Sequence, residues 1–111
     1  MTNAVSVVQR QFEAYNARDL EAMIACYAAD CVIAGLNGPV TETDREGLPA
    51  RYAKIFADFP ENYARLVNRI HLGNTVVDHE DVNRGAGKGR FEVIAIYTVK
   101  NGAIARVDFA K

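Results

Sequence analysis

The apolar pattern of this chain changes period at Pro60: before it hydrophobic residues recur every three or four positions, and after it every second one. A chain divided in this way places helices first and strands after, and both must bury their apolar sides against each other. Val5, Val8, Phe12 and Tyr15 trace one face of a first helix, expected to end near Asn16. Asp19 can cap a second, in which Leu20, Met23, Ile24 and Tyr27 follow the same template up to Asp30. Cys31 to Ala34 reads as a short strand, and Gly35 with Asn37-Gly38-Pro39 as a loop. Leu48, Tyr52, Ile55, Phe56 and Phe59 predict a third helix over residues 47 to 59, with Pro49 tolerated in its first turn and Pro60 closing it.

Beyond Pro60, alternation marks four segments, near residues 62 to 72, 75 to 83, 90 to 99 and 103 to 110. Gly73-Asn74 suits a two-residue hairpin turn, Asn101-Gly102 another, and Arg84 to Gly89 a longer loop. That loop is glycine-rich and basic, but it opens no helix and so lacks the dipole of a phosphate-binding loop. These connections are too short for parallel crossovers, so the four strands form an antiparallel meander. With 111 residues there is length for one core, and residues 1-111 are expected to form one domain. The expected fold is α+β, three N-terminal helices packed on one face of a curved antiparallel sheet.

Composition removes several classes of function. Thirteen basic and fourteen acidic residues leave a formal charge of -1, which gives no electrostatic footprint for nucleic acid or an anionic membrane. No apolar run is long enough to span a bilayer, and the first ten residues lack a basic segment followed by an apolar one, so neither a membrane span nor a leader is expected. Cys26 and Cys31 fall outside any C-x-x-C spacing and read as buried, reduced thiols of a cytoplasmic protein. His71 and His79 lack the spacing of metal ligands, and no metal is expected.

The order of elements and several strings resemble the nuclear-transport-factor-2-like superfamily, the cone-shaped fold of ketosteroid isomerases and SnoaL-type polyketide cyclases. The strings are Val7-Val8-Gln9-Arg10, Ala14-Tyr15-Asn16-Ala17-Arg18-Asp19-Leu20, Tyr27-Ala28-Ala29-Asp30, and Ala95-Ile96-Tyr97-Thr98-Val99 running through Asn101-Gly102 into Ile104. The resemblance implies a small-molecule cavity between helices and sheet, but one scaffold of this kind hosts many activities. A ketosteroid isomerase uses an aspartate base with a tyrosine and a protonated aspartate as its oxyanion hole. Aligned on these strings, the three positions fall at Gly35, Gln11 and Ala95, so the isomerase chemistry does not carry over.

Asp78-His79-Glu80 is the remaining polar set. Alternation puts Asp78 and Glu80 on one face and His79 on the other. A two-residue turn at Gly73-Asn74 would pair His71 with Val76, Arg69 with Asp78, and Val67 with Glu80, leaving Arg69 between two carboxylates. This set is similar in residue type to the Asp-Arg-Asp site of the limonene-epoxide-hydrolase branch of the superfamily. On hydrophobicity alone the opposite face, with Leu66, Ile70, Leu72, Val77, Ile94 and Ile96, is the better core, and Arg69 with Asp78 is then an ordinary surface ion pair. The resemblance implies the reverse, with the acids toward the cavity and the apolar face in a homodimer.

Two functions follow. In the first, Asp78 or Glu80 carries a proton, Arg69 holds the carboxylate charge, and Tyr15 or Tyr97 donates to a ligand oxygen, giving cofactor-free isomerisation, cyclisation, dehydration or water addition on a small apolar or amphipathic molecule. Gln11, Tyr15, Tyr27, Tyr52, Phe56, Phe91 and Tyr97 are the expected cavity lining, although aromatic residues at such spacing also build ordinary cores. In the second, the cavity or the dimer is retained without catalysis. The expected dimer places His79 near its interface, with Asp81 as a candidate partner, so that acid would loosen it if the histidine lacked one.

Overall fold

The computed structural model describes residues 3 to 111. Helix α1 (Ala4–Ala17) is capped by the Asn3 side chain, which accepts from the Ser6 backbone N–H, and it ends at Arg18 in the left-handed conformation. Helix α2 (Leu20–Ile24) starts at Asp19, whose carboxylate accepts from the Ala22 N–H. Strands β1 (Tyr27–Gly35) and β2 (Val40–Glu42) follow, then a 3-10 turn (Arg45–Gly47) leading into α3 (Leu48–Asp58). The second half is β3 (Tyr63–Leu72), β4 (Thr75–Asn83), β5 (Arg90–Lys100) and β6 (Ala103–Ala110). The six strands form one curved, unclosed sheet in the order β2-β1-β6-β5-β4-β3, with the helices on its concave side.

Three local expectations need correction. The second helix stops three residues short of Tyr27, because the Ile104 N–H takes the Cys26 carbonyl at 2.8 Å and Arg45 Nη1 takes that of Tyr27 at 3.0 Å. Those bonds draw the segment into the sheet, where β1 runs parallel to β6, a pairing that a meander of the last four strands does not include. The segment read as a loop contains β2, a three-residue edge strand beside Pro39 that is too short to show alternation.

The third correction matters most for the site. β3 and β4 pair as expected at His71 with Val76 and Arg69 with Asp78, but a β-bulge at Val67 then brings Leu66, not Val67, opposite Glu80. The bulge reverses the alternation of β3, so Ala64 and Leu66 face the helices while Val67 and Arg65 face out. Helix α1 secures this edge strand with a side chain: Asn16 donates to the Ala64 carbonyl at 2.9 Å and accepts from its N–H at 2.8 Å, standing in for a missing neighbouring strand.

The core between helices and sheet is built from Val7, Val8, Met23, Ile33, Leu48 and Ile104, all fully buried. Cys26 and Cys31 are free and buried in it. The outer face leaves Tyr63, Val67, Ile70, Leu72 and Ile94 exposed, Leu72 at 85%.

Candidate functional site

Asp78 and Glu80 point from β4 toward the helices, with 0% and 8% of their surface exposed. The face that hydrophobicity alone would bury is therefore the outer one. Asp78 is bound on both oxygens by Arg69, Nε at 2.6 Å and Nη2 at 3.0 Å, and the third arm of the guanidinium donates to Gln9 Oε1 at 2.8 Å. This is a bidentate, nearly dry ion pair that compensates the burial of the Asp78 charge. Arg69 thus spends its hydrogen bonds on Asp78 and Gln9 and does not bridge the two acids as the unbulged register implied.

Glu80 reads those charges through space. Burial raises its carboxyl, the neighbouring Asp78 carboxylate raises it further, and Arg69 only partly offsets the two, leaving it at about 7. It is one of the residues lining a cavity of about 100 Å³ between α1, α3 and the sheet.

Of the ligand-binding residues expected from the sequence, Gln11, Tyr15, Tyr52, Phe91 and Tyr97 line this cavity with Glu80. Arg69, Asp78, Tyr27 and Phe56 do not. Tyr27 lies in the core, 1% exposed, because its segment is strand rather than helix, and Phe56 packs against the rings of Tyr15 and Tyr52, 5.7 and 6.4 Å from their centroids. Burial pushes the Tyr15 phenol up, the Tyr52 phenol to about 12 and the Tyr97 phenol well above its ordinary range, so all three stay protonated and can donate.

Two residues of the site have no counterpart in the sequence reading. Asn62, fully buried, accepts from Arg84 Nη1 through Oδ1 at 2.7 Å and donates through Nδ2 to the Tyr15 hydroxyl at 2.7 Å. Because a guanidinium can only donate, the Asn62 amide has one orientation, and because Tyr15 accepts from it, the Tyr15 O–H is left to point elsewhere. Arg84 is itself stacked between the rings of Phe59 and Phe91, each 4.8 Å from its guanidinium carbon. A polar residue two positions after a proline, at the start of an alternating strand, was the only available signal for Asn62. The sequence marks the loop of Arg84 as a basic, glycine-rich hairpin loop near the cavity rim, and Arg84 does line the cavity, but its stacking between two rings and its bond to Asn62 have no signal there. On the outer face, His79 pairs with Glu92 at 2.7 Å, while Asp81, expected as its partner, is bound by Arg90 and Arg65, whose guanidiniums hold its carboxyl at about 2.

Among the described residues there is no cluster of three metal-ligating side chains, and no helix is long and apolar enough to cross a membrane. No curated protein matches the chain. An uncharacterized cystatin-fold protein from Novosphingobium aromaticivorans is similar over all of both chains, with 26% identity and a TM-score of 0.92. A proposed polyketide cyclase from Sinorhizobium meliloti has 19% identity and a TM-score of 0.78, covering 94% of this chain and 93% of its own. A ketosteroid-isomerase-like fold from Catenulispora acidiphila, seen in complex with trimethylamine, has 14% identity and a TM-score of 0.75, covering 95% and 84%. The SnoaL-like domain family matches residues 8–107, nearly the whole chain, and the protein belongs to that family within the nuclear-transport-factor-2-like superfamily.

Proposed function

We propose that the cavity binds a small, mostly apolar molecule and that Glu80 moves a proton on it without a cofactor. The observation that carries this reading is a carboxyl held at about 7 on the wall of an aromatic pocket, since a group poised near the working pH can both take and return a proton. The Tyr15 O–H, turned away from Asn62, supplies a donor for a carbonyl or epoxide oxygen, stabilising negative charge as it develops there. Asp78 and Arg69 act as positioning residues: they set the potential at Glu80 from behind the wall. Isomerisation, cyclisation, dehydration and water addition can all be served by this set of groups. Native mass spectrometry against ketones, esters and epoxides identifies binders, whose turnover is then followed. Glu80→Gln is expected to abolish turnover while retaining binding, and unchanged turnover would refute the assignment.

The alternative, a binding module without catalysis, is favoured by the cavity's size. About 100 Å³ is below the range of roughly 300–1,000 Å³ usual for small-molecule sites, because Tyr15, Tyr52 and Phe91 fill much of the space. A ligand that binds equally to the wild type and to Glu80→Gln and is never converted would support that reading.

We further propose that a second copy covers the outer face. Val67, Ile70, Leu72 and Ile94 form its apolar part, and its charges balance within one chain, Arg65 and Arg90 against Asp81 and Glu92, with Glu92 also beside His79. A face that is apolar and locally neutral can meet its own copy without like-charge repulsion.

A further inference from the structure

The mouth of the cavity carries more positive charge than a wholly apolar ligand requires. Arg51, Arg84 and Lys111 all line it, against Glu80 as the one acidic side chain. Each cation lies against an aromatic ring: Arg51 5.7 Å from the Tyr52 centroid, Arg84 4.8 Å from those of Phe59 and Phe91, and the Lys111 ammonium 4.7 Å from Phe91. Among the described residues none of the three forms an ion pair with a carboxylate, whereas Arg65, Arg69, Arg90 and Arg106 all do. Arg51 and Arg84 instead donate to neutral groups, the Thr41 hydroxyl at 3.1 Å and the Asn62 amide at 2.7 Å.

We infer that the ligand is an amphipathic monoanion, a carboxylate whose apolar body enters the pocket while its head stays at the mouth among Arg51, Arg84 and Lys111. The inference rests on the cavity being the binding site and names the class of molecule it takes. Its physical basis is that cations stacked on rings keep donors free, that apolar walls below them reject a charge, and that a planar guanidinium matches a carboxylate. A cavity of about 100 Å³ has room for one ring, and a head group left outside need not fit within it. Burial that keeps Glu80 protonated up to neutral pH also removes the one side-chain charge that would repel such an anion from within.

The test uses a matched pair, 3-phenylpropanoate and 3-phenylpropanamide, which differ in charge but hardly in size. Binding is measured by amide chemical-shift titration of the whole chain at about pH 6, at low and at high salt, with Glu80 neutral. The carboxylate is expected to bind about tenfold more tightly than the amide at low salt, with the advantage shrinking as salt rises. Lys111→Ala, on an exposed side chain beyond β6, is expected to reduce the advantage several-fold, and Arg84→Gln to reduce it further. Equal affinity, or tighter binding of the amide, would overturn the anionic head group while leaving the pocket intact as a site. Shifts confined to residues away from Gln11, Tyr15 and Tyr97 would overturn the pocket itself and this inference with it.

Discussion

Glu80→Gln separates stability from function in a direction that the structure fixes. In the unfolded chain the carboxyl titrates at its ordinary 4.5, and in the folded protein at about 7. Below the lower value both states hold the proton and Glu80 costs nothing. As pH rises through the window between the two, the unfolded state releases the proton and the folded state keeps it, so stability is progressively lost, and the loss levels off above the folded value. The difference between the two values corresponds to about 3 kcal/mol at pH 8.5, and to under about 1 kcal/mol at pH 4.5. Glutamine keeps the shape and removes the charge. The variant should therefore be more stable than the wild type by up to about 3 kcal/mol, or roughly 10 °C in Tm, at about pH 8.5, with the gain shrinking toward zero at about pH 4.5. Urea melts of both proteins across that range measure it directly. A stability difference that is the same at both ends of the range would refute the claim that Glu80 is ionised against its surroundings, as would a carboxyl carbon resonance titrating near its ordinary value.

Asp78→Asn leaves the Arg69 guanidinium buried without its anion, and a loss of about 3 kcal/mol is expected in chemical denaturation. The same change removes the carboxylate that raises Glu80 and leaves the cation that lowers it, so any pH–activity midpoint set by Glu80 should move toward acid. Leu72→Glu, on a side chain 85% exposed, should leave the fold intact and convert a dimer into a monomer in light scattering, while a wild-type monomer would dismiss the second copy. Such a dimer should survive at about pH 5.5, because the His79 ring lies 2.7 Å from the Glu92 carboxylate rather than beside a bare positive charge. Gly102→Ala, at a φ of 78° in the hairpin turn behind Asn101, should cost about 1 kcal/mol in thermal or urea unfolding.

The elements that carry a sustained period were legible in the sequence. The ends of β3 to β6 fall within a residue or so of the places where alternation stops, and Gly73 and Asn101-Gly102 adopt the positive φ angles that their hairpins require. What failed was local pattern set against long-range pairing. Tyr27 continues a helical stripe in the sequence, yet a bond from Arg45, 18 positions away, to its own carbonyl and one from Ile104 to the Cys26 carbonyl, 78 positions away, place it at the start of a strand. The choice of face was equally out of reach of hydropathy, since apolar residues occupy both sides of β3 to β5, Ile70, Leu72 and Ile94 outside and Val76, Val93 and Tyr97 inside, and the inner side also holds Asp78, Glu80 and Asn62. Within a single chain those buried polar groups and exposed apolar ones look like a penalty. Under the proposed function the inner polar groups serve the pocket and the outer apolar ones meet a second copy.

The bulge at Val67 ties the fold to the site. Carried unbroken from Arg69 toward the start of β3, strict alternation would turn Val67, Arg65 and Tyr63 toward the helices. The extra residue shifts the phase, so Leu66 and Ala64 face inward and Asn62, just ahead of the strand, is fully buried. Asn62 is the residue that orients Tyr15 and anchors Arg84, and Arg84 in turn stacks on Phe91 over the cavity. Arg69, on the other side of the bulge, keeps the original phase and stays with Asp78. One inserted residue on an edge strand thus lets β3 present an arginine to buried Asp78 while the residue just ahead of it, Asn62, holds the Tyr15 hydroxyl on the pocket wall. The sequence does carry a trace of this, since Arg69 and Arg65 share a parity that would bury two arginines, whereas a change of phase between them buries one and exposes the other.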